Sequence, residues 1–180
     1  MAGGKYRPVL NLPRPLLDNL LEVVAVAGLL GMLLMVWAYW PELPVRLPTH
    51  FGLSGQPDAW GGRGSFWFLP IVGVFLYALM MVVYRYPQFC NYPVQLTEAN
   101  VERQYRLARS MLQWLKAEIL WLFWYLEWQT IQVGLGKSGG LGSAFLPVFL
   151  LVLFGTLGIY IWQCTRPGDN TGRGGGTGEA

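Results

Sequence analysis

The chain has 180 residues, of which 53% are hydrophobic and only 13% are charged, and its formal net charge is +3. Soluble domains carry about 25% charged residues, so this composition excludes an ordinary soluble domain and indicates that lipid contacts much of the surface. The Lys and Arg residues are spread over the loops, as in membrane proteins, which argues against a nucleic-acid-binding surface.

Four segments are predicted to cross the membrane as helices, so the fold is expected to be an all-α integral membrane domain over residues 16–165. In chain order, the predicted spans are residues 16–40, 66–84, 111–133 and 141–163. Apolar helices of about 20 residues match a hydrocarbon core about 30 Å thick. The flanking residues 1–15 and 166–180 are predicted to be a basic cytoplasmic tail and a disordered, glycine-rich tail.

The predicted third span differs from the others because it contains Lys116, Glu118 and Glu127. Ionisable groups are costly inside a membrane unless they reach an interface or face protein or water. We expect Lys116 and Glu118 to extend to the cytoplasmic interface. Glu127 lies near the other end and has a short side chain, so a polar site inside the bundle and an interfacial position are both open for it. Lys116 and Glu127 are 11 residues apart, about 16 Å along a helix, and cannot pair directly.

An aromatic stripe runs along the same span, where Trp114, Trp121 and Trp128 recur every seven residues. Such a stripe predicts a face that packs against another helix, a partner or lipid. A cradle for a pigment, a quinone or a lipid tail is the alternative. We prefer the packing interpretation and predict that these residues face a partner.

The distribution of arginines predicts that both termini are cytoplasmic, together with the second loop, residues 85–110. Within that loop, residues 97–110 are predicted to form a helix with Thr97 as its N-cap, which continues into the third span. This basic helix is a possible surface for a cytosolic partner. Cys90 and Cys164 fall on the same reducing side, so free thiols are expected.

The first loop, residues 41–65, is then extracytoplasmic, and its prolines and glycines predict an ordered lid. It contains His50, the chain's single histidine, and Asp58. These two could form a pair that fixes a tautomer, shuttles protons or binds a metal. Alternatively, His50 binds a backbone carbonyl while Asp58 caps a turn or pairs with Arg63. A zinc or copper site needs about three protein ligands, so no metal site is predicted.

The stretch LPVRLPTHFGLSGQPDAWGGRGSF in this loop resembles a bacterial membrane domain of unknown function that stands at the N-terminus of SdpI-type immunity proteins. The matching positions are Leu43, Pro44, Pro48, His50, Phe51, Gly55, Asp58, Gly61 or Gly62, and Arg63. Leu47 and Arg63 stand where members of the family have Ile and often Lys. The resemblance covers the first two spans and their loop. It implies a small integral membrane protein of the SdpI-like type, whose described relatives protect the cell from a secreted toxin and hold a transcriptional repressor at the membrane.

We therefore expect a protein of the bacterial cytoplasmic membrane with a non-enzymatic binding, sensing or immunity role. The residues predicted to carry it are Pro48, His50, Gly55, Asp58, Arg63 and Glu127. An accessory subunit of a respiratory or photosynthetic complex is the alternative. An enzyme or transporter is disfavoured because the chain has no nucleophile–base pattern and no phosphate-binding glycine loop. No cofactor is expected, and the predicted partners are membrane lipids, membrane proteins or a cytosolic protein at the second loop.

Overall fold

The computed structural model describes residues 7–166, which form four α-helices and one β-hairpin. In chain order, these elements are α1 (Leu16–Tyr39), β1 (Arg46–Phe51), β2 (Pro57–Gly62), α2 (Phe68–Arg85), α3 (Val101–Gly134) and α4 (Phe145–Thr165), with short 3-10 turns at Arg63–Trp67 and Pro87–Phe89. The predicted disordered tail, apart from Arg166, and the first six residues of the predicted N-terminal tail lie outside the described residues.

Three of the helices are long and apolar enough to cross a membrane: Leu16–Tyr39, Arg63–Arg85 and Phe145–Thr165. They coincide with the first, second and fourth predicted spans. Long apolar helices whose side chains are largely uncovered by the rest of the fold are stable only in lipid. The chain is therefore a membrane protein.

The remaining helix, α3, is the central element of the fold and packs against α1, α2 and α4. Its 34 residues extend for about 51 Å. The predicted helix of the second loop and the predicted third span are one continuous helix, as expected. The predicted cap is wrong, because α3 begins at Val101 and the side chain of Asn100 accepts a hydrogen bond from the backbone N–H of Thr97.

The hairpin β1–β2 corrects the expectation of an all-α fold. The first loop is ordered, as predicted, but it forms a two-stranded antiparallel sheet. An isolated hairpin is marginal in water, so packing has to stabilise it. The side chain of Leu47 in β1 is fully buried and packs in a cluster with Leu43, Phe66 and Ile131. Because this segment is rich in proline and glycine, the sequence predicted turns there and not the two strands of six residues each.

Close packing of α1 on α3 depends on two glycines of α1. A Cβ atom at Gly31 would lie 2.7 Å from the Trp124 ring, and one at Gly28 would lie 3.3 Å from the Trp121 ring. Glycine at these positions therefore lets the large indole rings lie directly on the α1 backbone.

Candidate functional site

The hairpin places His50 and Asp58 side by side at one end of the helix bundle. The register is irregular on both sides of His50: Pro48 pairs with Trp60, His50 with Ala59, and Phe51 with Pro57. The extra residues are Thr49 in β1 and Asp58 in β2. Bulges of this kind bend a strand and change the direction of its side chains, and they are frequent next to functional sites.

His50 and Asp58 form a direct hydrogen bond, with Nδ1 of His50 lying 2.6 Å from Oδ1 of Asp58. An ionised carboxylate can only accept, so Nδ1 carries the proton and donates it. The other ring nitrogen, Nε2, is left for a second partner. The structure thus shows the His50–Asp58 pair and not the alternative, in which His50 binds a backbone carbonyl and Asp58 caps a turn or pairs with Arg63. Arg63 does not join it, because its guanidinium lies 4.7 Å from the centre of the Trp40 ring.

The pair stands at the rim of a cavity of about 850 Å³ between the hairpin and the helices. Its walls are mainly apolar, with Phe68 and Leu69 from α2, Leu122 and Leu126 from α3, and Phe145, Leu146 and Phe149 from α4. Small-molecule sites typically measure about 300–1,000 Å³ and combine apolar walls with a few polar groups. The volume and lining match such a site.

α2 and α4 both contribute to the walls of this cavity and both pack on α3, whereas they make almost no contact with each other. The two walls are therefore connected mainly through α3.

Glu127 is the acidic group deepest in the cavity. Its side chain is only 1% exposed, and neither carboxylate oxygen has a hydrogen-bond partner among the described residues. Thr130, which lies almost one turn further along α3, also lines the cavity. A buried carboxyl group without a hydrogen-bond partner costs free energy in either protonation state, so this arrangement is unusual for a group with a purely structural role.

The third loop closes the cavity from the side of α4. The backbone N–H of Leu141 donates to the carbonyl of Gly55 at 2.8 Å. Gly55 has a φ of +78°, and a Cβ atom there would lie 2.8 Å from the carbonyl oxygen of Gly142. The hairpin tip therefore requires glycine, both for its left-handed backbone and for this contact.

Five of the six residues predicted to be functional thus surround one cavity: Pro48, His50, Gly55, Asp58 and Glu127. Arg63 lies outside the lining. The apolar wall contributed by α4 was missed, because an apolar residue that lines a cavity and one that faces lipid have the same sequence signal.

A second polar cluster lies toward the other end of α3 and corrects the prediction for Lys116. Its Nζ atom is 2.6 Å from Oε2 of Glu22, and its side chain is 2% exposed. Gln113 donates a hydrogen bond to the same oxygen, and Tyr77 donates one to the other oxygen of Glu22. Lys116 therefore does not extend to an interface: it is held inside the bundle by a carboxylate from α1.

Glu118 also faces protein and not the predicted interface, because Thr156 of α4 donates a hydrogen bond to it. The expectation that both charges extend to the interface was wrong for a common reason. Their partners lie on other helices, 94 and 38 residues away in the sequence.

Asp18 belongs to the same end of the bundle. It is 2% exposed and accepts a hydrogen bond of 2.8 Å from Tyr84, whose hydroxyl oxygen accepts one from Arg109. Arg109 also donates to the backbone carbonyl of Leu12, and Arg7 donates to the carbonyls of Gln88 and Cys90. The described part of the predicted N-terminal tail is thereby fixed to the rest of the fold.

The second loop uses its other arginines in a similar way. Arg103 donates hydrogen bonds to the carbonyls of Gln163 and Arg166 at the end of α4, and Arg106 pairs with Glu102 on its own helix. Carbonyls at a helix C-terminus have no intrahelical donor, so Arg103 satisfies them. A cytosolic partner at this loop remains a prediction.

The tryptophan stripe lies at the boundary between α1 and the surroundings. Trp121 donates a hydrogen bond of 2.9 Å to the carbonyl of Val24, and Trp128 packs edge-on against Tyr39. Trp114 and Trp121 are nevertheless 43% and 41% exposed. Trp121 and Trp128 thus contact α1, and contact of the stripe with a partner remains a prediction.

Residues 7–166 contain no group of three or more His, Cys, Asp or Glu side chains arranged to hold a metal ion.

Comparison with known proteins gives a match to a sequence family over the region that contains the hairpin. The family model for a domain of unknown function, DUF1648, matches residues 27–74, which run from α1 through the hairpin into α2. The chain is also similar to an uncharacterized protein of Archaeoglobus fulgidus, with 33% identity over 98 residues that cover 45% of this chain and 50% of that protein. The chain thus spans about half the length of this relative. No solved structure matches it.

Proposed function

We propose that this chain is a non-enzymatic membrane receptor that binds an amphipathic ligand in the cavity beneath the hairpin. The observation that carries the proposal is the cavity of about 850 Å³ with apolar walls and the His50–Asp58 pair at its rim. The apolar part of the ligand lies against α2, α3 and α4, and its polar part meets the hairpin. The region matched by the domain of unknown function includes this rim.

The proposal includes the orientation predicted from the arginines, with the hairpin on the extracytoplasmic side of a cytoplasmic membrane that all four helices cross. Binding in such a pocket suits a sensing or immunity role, in which the protein detects or sequesters a molecule that arrives from outside. This is the role that the resemblance to SdpI-type proteins implies. Because α2 and α4 make almost no contact with each other, a ligand that first partitions into the membrane would enter between them.

Photolabelling tests the proposal. The probe is a long-chain alcohol with a diazirine in its chain, added to the protein in lipid nanodiscs, and the labelled residues are identified by mass spectrometry. We expect adducts on Leu126 and Phe145 that an excess of the unlabelled alcohol suppresses. Leu126→Trp fills the cavity and should reduce this labelling about tenfold, since a filled pocket loses the apolar contacts of the chain.

Leu115→Trp is the matched control, because Leu115 is a half-buried residue of the same helix that does not line the cavity. It should leave the labelling unchanged. Adducts distributed evenly over lipid-facing residues of α4, with no effect of Leu126→Trp, would contradict the proposal.

A second candidate function, an accessory subunit of a larger membrane complex, is favoured by the surface of α4. This helix packs mainly on α3, and Cys164 is its one fully buried residue. An interface with another subunit would cover the rest of the α4 surface. Co-purification from the native membrane in mild detergent tests this function, which predicts partner proteins in fixed stoichiometry.

A further inference from the structure

We infer that the ligand of the cavity carries a cationic amine, which binds the carboxylate of Glu127. This inference rests on the proposed function and specifies the chemistry of the ligand. It starts from the two carboxylate oxygens, which are buried and have no hydrogen-bond partner among the described residues.

Residues 7–166 supply no cation for this carboxylate. Among the described residues, the cavity lining contains no Lys or Arg. The nearest lysine along α3, Lys116, is held by Glu22, and Arg63 lies on the Trp40 ring. The histidine at the rim, His50, is bound to Asp58. A cation that pairs with this carboxylate would therefore come from outside the described residues, and we assign it to the ligand.

An amine meets the requirements of the site better than other head groups. A buried carboxylate accepts strong, short hydrogen bonds from an ammonium group, and such charge-assisted bonds are about twice as strong as neutral ones. The apolar walls on either side of Glu127 accept the hydrocarbon part of the same molecule. A carboxylate or phosphate ligand would instead add a second negative charge to a site that already lacks a positive one.

The aliphatic surroundings also limit the size of the head group. Leu122, Leu126 and Thr130 lie within about one and a half turns of Glu127 on the same helix, and all line the cavity. A compact primary or secondary ammonium fits between them, whereas a large polar head would leave its remaining polar atoms unsatisfied.

The experiment compares three diazirine probes of equal chain length that end in an amine, an alcohol or a carboxylic acid. Each is titrated against the protein in nanodiscs, and labelling of cavity residues is normalised to labelling of lipid-facing residues of α4. We expect half-maximal labelling by the amine at a concentration about tenfold lower than by the alcohol, which corresponds to about 1.4 kcal/mol. The acid should label the cavity least.

Glu127→Gln keeps the shape of the side chain and removes its charge, so it should abolish the preference for the amine while leaving labelling by the alcohol intact. Retained alcohol labelling shows that the variant is folded. Glu127→Asp keeps the charge and should retain the preference. Glu118→Gln, on the same helix but bound to Thr156, is the matched control and should behave as the wild type.

Equal labelling by amine and alcohol in the wild type would overturn the inference while leaving the proposed function in place. The same holds if Glu127→Gln keeps the full preference for the amine. If none of the three probes labels the cavity above the lipid-facing background, the proposed function itself fails.

Discussion

Lys116 and Glu22 form a buried ion pair between α3 and α1, with Nζ and Oε2 2.6 Å apart and the lysine side chain almost fully enclosed. Hydrogen bonds from Gln113 and Tyr77 satisfy the carboxylate further. A pair of this kind is strongly destabilised when one partner is removed, because the other charge stays buried without compensation. It joins the first and third helices at the end of the bundle that lies opposite the cavity.

Lys116→Met should therefore lower the free energy of unfolding by about 3 kcal/mol, because the carboxylate of Glu22 then keeps only its longer ion pair with Arg14, at 4.0 Å. The measurement is denaturant or thermal unfolding in a mild detergent. The double variant Lys116→Met with Glu22→Gln should recover a large part of the loss. Glu102→Gln breaks the exposed pair with Arg106 and should cost less than about 1 kcal/mol. Equal effects of the two single changes would refute the assignment of Lys116–Glu22 as a stabilising pair.

Gly55→Ala should loosen the contact between the hairpin tip and the third loop. The residue has a φ of +78°, and the added methyl would press on the carbonyl of Gly142, at a strain of about 1–2 kcal/mol. Hydrogen exchange at the amide of Leu141, which donates to Gly55, should then speed up. Gly62→Ala is the control, since Gly62 has a φ of −73° and open space around it. Unchanged protection at Leu141 in Gly55→Ala would contradict this role.

The tautomer of His50 can be observed by NMR of the ring nitrogens. In its neutral form the ring should carry its proton on Nδ1, because Asp58 accepts from that atom. Asp58→Ala should remove this preference. Arg63→Gln should not change it, since Arg63 packs on Trp40 and does not contact the pair. A wild-type ring protonated on Nε2 would mean that the hydrogen bond does not form in the membrane.

Cys90 should react slowly with alkylating reagents at neutral pH. Burial raises the pKa of its thiol, while the nearby charge of Arg7 acts in the opposite direction. Because the thiolate is the nucleophile, a raised pKa means less thiolate at pH 7 to 8 than in a free cysteine peptide. In a Cys164→Ser background, iodoacetamide should thus react more slowly than with the peptide, and the rate should keep rising to a higher pH.

Arg7→Gln should slow this reaction further, since it removes the charge that favours the thiolate. A rate that levels off at lower pH than that of the peptide would show a lowered pKa and contradict the position of the thiol. This comparison needs no ligand, and it also tests whether the N-terminal segment places Arg7 next to Cys90.

Sequence patterns were sufficient for the three apolar helices Leu16–Tyr39, Arg63–Arg85 and Phe145–Thr165, because long apolar runs have few other stable forms, whereas a membrane crossing by α3 remains a prediction. They also indicated Glu127, since a short acidic side chain in a span has to face protein or water. The hairpin was not predicted because Pro48 and the surrounding glycines favour turns locally, while burial of Leu47 against α3 decides the structure. The partners of Lys116 and Glu118 were not predictable, because they come from other helices and depend on how these pack.

The most direct test of ligand binding is native mass spectrometry of the protein purified in mild detergent from its own membrane. We predict one small molecule with an apolar chain and an amine bound per chain, retained in the wild type and in Leu115→Trp and lost from Leu126→Trp. Identical small-molecule content in all three proteins, or a fixed set of partner subunits in place of a ligand, would contradict a ligand-binding cavity beneath the hairpin.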